Sequence, residues 1–177
     1  MGSRQVISDL ARLVDAVRAA DTNQGSLLHG EIHWKCVAWT GLELADEVEH
    51  ADREVVLLFG LFHDSQRKDD GHDRDHGRRA AKLVERMHGE HFRLHADRLA
   101  KLIDACAGHA DGTTSDDPTI GLCWDADRLN LWRIGVTPQA RFLSTVVARR
   151  ESSLERSRQM LGQRMSWTEI ARRIDGG

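Results

Sequence analysis

The stretch Asp52-Arg53-Glu54-Val55-Val56-Leu57-Leu58-Phe59-Gly60-Leu61-Phe62-His63-Asp64 decides the fold. Val55 to Phe62 is the longest uninterrupted apolar run in the chain, and on residue preference alone Val55 to Phe59 also suits a buried strand. Its length, its acidic start at Asp52 and Glu54, and neighbours with helical periodicity favour a buried helix. The run contains Gly60 and is far shorter than the ~20 residues needed to span a bilayer, so no membrane partner is expected.

Working outward, Val6, Ile7, Leu10, Leu13, Val14 and Val17 recur at helical steps, and turn chemistry over 21–25 ends that helix. A second helix is expected over 26–48, with Ser26 as a cap and with His29 and His33 one turn apart. After a polar loop over 64–76, helices are expected over 77–88, 92–108 and 119–131. Thr137-Pro138 supplies an N-cap followed by proline at the first helical position, predicting a helix to about residue 150. One or two short helices through Leu161, Met165 and Trp167 finish the chain. Trp34, Trp39, Trp124 and Trp132 are read as core packing. No alternating strand pattern or Asn-Gly hairpin occurs, so the fold class is all-α, a single compact helical bundle over 1–177.

The chain's 177 residues, with 25 Lys and Arg against 28 Asp and Glu, suit one near-neutral domain. The charge is uneven: residues 1–127 hold 15 basic and 24 acidic side chains, whereas 128–177 hold 10 Arg and 4 acidic residues. A basic tail of this kind is a docking feature. The segment 167–174 resembles the opening of a helix-turn-helix, but no recognition helix follows it, and a nucleic-acid partner is not expected. Cys36, Cys106 and Cys123 lack metal or disulfide spacing and read as small buried side chains. The regularly charged N-terminal segment does not match a signal peptide, so a cytoplasmic location is expected. The ten histidines are the anomaly of the composition, and six of them lie between residues 63 and 95.

His63-Asp64 closes the apolar run. Imidazole and carboxylate suit a catalytic divalent metal that keeps a position open for water, although the same pair also reads as a helix-end cap. The pair gains meaning beside His33 on the preceding helix and Asp127 in Asp125-Ala126-Asp127-Arg128-Leu129. This order of a lone His, a His-Asp pair after an apolar helix, and a distal Asp before Arg-Leu resembles the HD-domain superfamily of metal-dependent phosphohydrolases, over about residues 26–135.

The resemblance implies an HD-like helical core with a metal site between helices, and an Arg-rich helical extension over about 136–177. It implies that His33, His63, Asp64 and Asp127 ligate a metal. Asp125 competes for the last place, and the Asp-Arg-Leu context favours Asp127. His76-Gly77 and His109 look like the added ligands of two-metal members, against local readings as a helix cap and a solvated C-terminal histidine. One or two divalent ions are implied, with Mn, Mg, Co, Ni, Fe and Zn all compatible with the ligands.

Some members carry acidic residues three or four positions beyond the pair, where this chain has Arg67 and Lys68. With Asp64, these two are the candidate catalytic residues, as cations beside the phosphoryl group. Arg128 and His72 are candidate substrate contacts, Arg133 is a further phosphate candidate, and His29 is a candidate neighbour of His33. Asp69, Asp70, Asp73 and Asp75 either orient histidines or form the solvated face of the loop. His50, His88, His91 and His95 are expected to face solvent. The resemblance thus implies hydrolysis of a phosphate ester of a nucleotide or related small metabolite. A non-catalytic metal-stabilised ligand-binding or interaction module and a di-iron oxygenase are the competing readings, and homo-oligomerisation is left open.

Overall fold

Asp52 starts the central helix. Its carboxylate accepts the backbone N–H groups of Glu54 at 3.2 Å and Val55 at 3.1 Å, satisfying donors that a helix N-terminus leaves without partners. The same carboxylate holds Arg98, which also donates to Glu54. The segment Arg53–Phe62 is a helix, and every residue from Glu54 to Phe62 is buried. The apolar run is therefore resolved as helix, because it is covered on all sides and does not alternate between two faces.

The computed structural model describes the backbone of residues 3–175 and the side chains of residues 10–174. Among the described residues there are eight α-helices: α1 (Ser3–Ala20), α2 (Glu31–Ala45), α3 (Arg53–Phe62), α4 (His76–Met87), α5 (Ala96–Gly108), α6 (Pro118–Leu129), α7 (Glu151–Gln159) and α8 (Trp167–Asp175). Short 3-10 turns occupy Leu131–Ile134 and Ala140–Phe142. The described residues form no strand, only an isolated bridge between His88 and Phe92.

Packing places α3 at the centre, against α2, α5 and α6, with α1, α4 and α8 also in contact. Leu57, Leu58, Phe59, Leu61 and Phe62 have no exposed surface. Burial of each contributes roughly 1.5–3 kcal/mol, which sustains a helix too short to persist alone. Two glycines set the close crossing of α2 and α3. A Cβ on Gly60 would lie 2.7 Å from the backbone of Ala38, and one on Gly41 would lie 2.5 Å from Val56. The C-terminal segment joins this core: Trp167, Ile170 and Ala171 are buried in it, and Trp167 Nε1 donates to Glu31 at 2.9 Å. Leu10, Leu13, Val14 and Val17 line the buried face of α1 as expected, whereas the side chains of Val6 and Ile7 lie outside the described set.

Two sequence expectations are corrected. The second helix begins at Glu31, not near residue 26, because the Ser26 hydroxyl accepts the N–H groups of Leu28 and His29 and closes a separate turn. Leu27 is consequently 85% exposed. The helix expected from Thr137-Pro138 to residue 150 does not form. Buried Asp125 accepts the N–H groups of Ser144 at 2.5 Å and Thr145 at 2.8 Å, together with the Thr145 hydroxyl at 2.7 Å. Arg128 and Arg149 bind the carbonyls of Phe142 and Leu143. Those tertiary bonds use groups a helix would have paired internally, and the helix starts only at Glu151.

Candidate metal centre

His63 is the C-cap of α3, its backbone N–H donating to Phe59 at 3.0 Å, and Asp64 follows in a turn. That turn is tied to the end of α1: Gln66 donates to the Ala20 carbonyl at 2.7 Å, and the Thr22 hydroxyl donates to the Arg67 carbonyl at 2.6 Å. His33 sits in the first turn of α2, Asp127 near the end of α6, His76 at the start of α4 and His109 just past α5. These six side chains, drawn from five helices and their termini, converge.

Their ligating atoms form two groups that share Asp64. In the first, His33 Nε2 lies 3.1 Å from His63 Nε2 and 3.5 Å from Asp64 Oδ2, and His63 Nε2 lies 3.7 Å from Asp64 Oδ2. Asp127 Oδ1 joins them at 3.2 Å from His33 Nε2 and 3.7 Å from His63 Nε2. In the second, His76 Nε2 lies 2.8 Å from His109 Nε2, and Asp64 Oδ1 is 3.2 Å from the former and 3.6 Å from the latter. Ligands about 2.1 Å from one ion stand ~3.0 Å apart at right angles and ~3.4 Å apart at tetrahedral angles. The observed spacings fall around both values, and two sets of atoms, His33 with His63 and Asp64, and Asp64 with His76 and His109, could each hold a metal ion, with Asp127 at the edge of the first.

Hydrogen bonding gives an independent test of fit. His63 Nδ1 lies 3.2 Å and 3.1 Å from the carbonyls of Phe59 and Gly60, His109 Nδ1 lies 2.8 Å from the Cys106 carbonyl, and His76 Nδ1 contacts the Asp73 carbonyl. Carbonyls only accept, so Nδ1 carries a proton in all three rings, and in the neutral tautomer that this selects Nε2 is the atom with a lone pair. The second group thus brings together three atoms that can each present a lone pair to a cation. In the first group, Asp127 Oδ1 is buried without a hydrogen bond of good geometry although His33 Nε2 is near. Such a donor set calls for a cation.

The electrostatics agree. Burial, reinforced by the Arg133 charge, holds His33 neutral, its pKa lowered to about 3. Burial alone would raise Asp64 and Asp127. The imidazoles packed around them, with the Arg133 charge beside Asp127, nevertheless hold both carboxyls well below the usual carboxylate range.

Asp64, Asp127, His76 and His109 line a cleft of about 490 Å³, with His33 and His63 outside its lining; the volume is within the ~300–1,000 Å³ typical of small-molecule sites. Leu28, Leu131 and Ile134 give it an apolar wall, and Arg67, Arg128 and Arg133 line it with charge. His29 also lines it, buried, with Nδ1 3.1 Å from Asp70, which in turn accepts from Ser26 and Asn23.

The remaining sequence candidates divide. Arg67 reaches the cleft, but Lys68 is exposed and outside it, as is His72. Arg128 lines the cleft with its guanidinium already engaged by the Phe142 carbonyl at 2.6 Å. Asp125 faces Ser144 and Thr145, away from both ligand groups. Of the loop carboxylates, Asp70 alone orients a histidine, while Asp73 binds Arg79 and Asp75 pairs with Arg78. His50 and His95 are exposed as expected, whereas His88 is half-buried, clamping the backbone of Leu94. The apolar wall was not anticipated. Its sequence signal is the placement of Leu28 beside His29 and of Leu131 and Ile134 around Arg133.

Compared with protein-family profiles, curated proteins and solved structures, the chain matches none. Among the described residues no helix is long and apolar enough to cross a membrane.

Proposed function

We propose that this chain is a metal-dependent phosphohydrolase of the HD type, cleaving a phosphate ester of a nucleotide or related small metabolite. The observation that carries the reading is Asp64, which lines the cleft and whose two oxygens each face a separate pair of histidines, His33 with His63 and His76 with His109. His33, His63, Asp64 and Asp127 would hold one ion, and Asp64, His76 and His109 a second. A divalent cation held there supplies an acidified water at neutral pH and polarises phosphoryl oxygens.

The chain's own residues supply the rest. The helix-end carbonyls fix the His63 and His109 rings with Nε2 inward, and their bonds to Nδ1 raise ligand basicity. Buried Leu and Phe side chains of α3 keep water from the back of the site. The open cleft admits substrate from the front, with cationic side chains on its wall to meet an anionic group.

The deciding experiment is metal analysis of the purified protein, followed by a screen of nucleotides and generic phosphoesters with several divalent ions. The reading expects one or two equivalents of metal, turnover that depends on metal, and loss of both in His63→Ala and Asp64→Ala at nearly unchanged helix content. Metal-dependent turnover surviving in both variants refutes the ligand assignment. Bound metal with no turnover of any phosphoester refutes the hydrolase.

A further inference from the structure

Three arginines line the cleft, and their hydrogen bonds separate them. Arg128 is spent: Nη1 donates to the Phe142 carbonyl at 2.6 Å, Nη2 lies 3.5 Å from the His109 carbonyl, and the guanidinium rests 5.5 Å from the Trp124 ring centre. Arg67 and Arg133 are held differently. Arg67 donates from Nη2 to Gly71 at 2.7 Å and from Nε to Asp69 at 3.3 Å, both carbonyls of its own loop. Arg133 donates from Nε to the Leu28 carbonyl at 2.8 Å and from Nη1 to the Asn130 carbonyl at 3.1 Å. In each, backbone carbonyls fix the guanidinium plane while one terminal nitrogen faces the polar groups of the cleft. Arg67 Nη1 stands 3.6 Å from Asp64 Oδ1 and 3.3 Å from His76 Nε2, and Arg133 Nη2 stands 3.8 Å from Asp64 Oδ2. The two cations thus face opposite oxygens of the carboxylate shared by both ligand groups.

We propose that Arg67 and Arg133 form a two-armed clamp for the terminal group of a phosphomonoester, whose organic part lies along the wall of Leu28, Leu131 and Ile134. This rests on the phosphohydrolase reading and narrows its substrate class. Two arguments select a monoester over a diester. The first is oxygen count: a monoester offers three terminal oxygens, enough to meet both arginines and still present one to the ligand groups, whereas a diester offers only two. The second is charge. Asp64 and Asp127 offset Arg67 and Arg133, so each divalent ion leaves a positive excess, which a monoester dianion of about −2 offsets further than a diester monoanion of about −1. Arginine suits the task because its planar fork can bind carbonyls with one edge and an anion with the other, which a lysine ammonium cannot do. In the reaction, a water oxygen forms a bond to phosphorus, the P–O bond to the organic group breaks, and the alcohol leaves with a proton from that water, giving inorganic phosphate.

The test titrates inorganic phosphate into the purified full chain by calorimetry, both as isolated with its metal and after chelation. It uses wild type, Arg67→Gln, Arg133→Gln and, as a charge control on the exposed face of α4, Lys82→Gln. Loss of one charge-assisted contact predicts a roughly tenfold to hundredfold weaker phosphate affinity in each arginine variant, with metal content and Lys82→Gln unchanged. Turnover of 4-nitrophenyl phosphate should fall by a similar factor, while that of its bis-ester changes by less than about threefold. Unchanged phosphate affinity in either variant, metal lost along with phosphate, or a wild type that prefers the bis-ester overturns the clamp. Should Arg67→Gln fail to fold, Arg67→Lys replaces it with the same expectations. A wild type without metal defeats the phosphohydrolase reading alone, and its phosphate titration still decides the clamp by the same criterion.

Discussion

Asp125→Asn and Asp127→Asn, two positions apart on α6, should fail in opposite ways. Asp125 accepts three hydrogen bonds, from Ser144 N at 2.5 Å, Thr145 N at 2.8 Å and Thr145 Oγ1 at 2.7 Å. Asparagine keeps one acceptor oxygen and turns its NH₂ against a backbone N–H. Each charge-assisted bond contributes roughly 1.5–3 kcal/mol, and each buried donor left unpaired costs about 1–3 kcal/mol. Ser144 and Thr145 are only half-buried, so water recovers part of the loss. Burial also pushes the Asp125 carboxyl up against its hydrogen bonds, so neutral asparagine avoids some desolvation. The net loss is about 2–4 kcal/mol, and at ~2–4 °C per kcal/mol for a chain of this size Tm falls by roughly 5–15 °C. Metal content at low temperature should be unchanged. Asp127 Oδ1 has no well-formed hydrogen bond to lose, so Asp127→Asn should leave the Tm of chelated protein within about 3 °C while metal content falls. Calorimetric melting in chelator and metal analysis of the same preparations check both halves. Loss of metal from Asp125→Asn at unchanged Tm would refute the assignment of roles, as would full metal content in Asp127→Asn.

Other perturbations probe the supports of the site. Gly77→Ala would place a Cβ 2.5 Å from the Cys106 carbonyl and 3.1 Å from His109 Nδ1. It should force α4 from α5 and lower metal retention by the His76 and His109 group; an unchanged stoichiometry argues against that packing. Gly60→Ala, whose Cβ would meet Ala38 Cβ at 2.6 Å and its backbone at 2.7 Å, should lower stability by about 1–3 kcal/mol, and a melt equal to wild type contradicts the close crossing. Glu31 is held at a pKa of about 2, chiefly by hydrogen bonds from Arg18 and then from Lys35. Its folded pKa is depressed, so its stabilisation is present above about pH 4.5 and lost as pH falls toward about 2. The Tm gap between wild type and Glu31→Gln should therefore be widest above pH 5 and close toward pH 2, and a gap independent of pH counts against it.

What the sequence made legible follows from the range of the forces involved. The acidic start at Asp52 and the buried run from Val55 to Phe62 depend on residues close together in the chain, and their helix forms where expected. Thr137-Pro138 carries an equally good local signal that fails, because Asp125 and Arg128, on α6 well upstream, claim the backbone of 142–145. The same distinction runs through the site. The six His and Asp side chains could be chosen by residue type and order, and the structure brings them together. Arg67 could not be separated from its neighbour Lys68, nor Arg133 from Arg128, because the difference lies in which distant carbonyls hold each guanidinium.

The placement of the histidines at helix ends has a common physical origin. An α-helix leaves its last carbonyls without intrahelical partners, and they form the negative end of its macrodipole. A histidine at the C-cap can fold its ring back so that Nδ1–H meets one of them. His63 does so on Phe59 and Gly60 at the end of α3, and His109 on Cys106 at the end of α5. One contact then satisfies a buried carbonyl, places a proton on Nδ1 and turns Nε2 away from the helix end. The two helix termini add negative potential at the point where the lone pairs converge. A cluster of this kind could receive a cation, and the buried core of α3 keeps its members from relaxing apart. Rigidity therefore resides in the helices that carry the ligands. The arginines that face the cleft are fixed in the same way, by loop and turn carbonyls, which hold their charge against Asp64 from the open side.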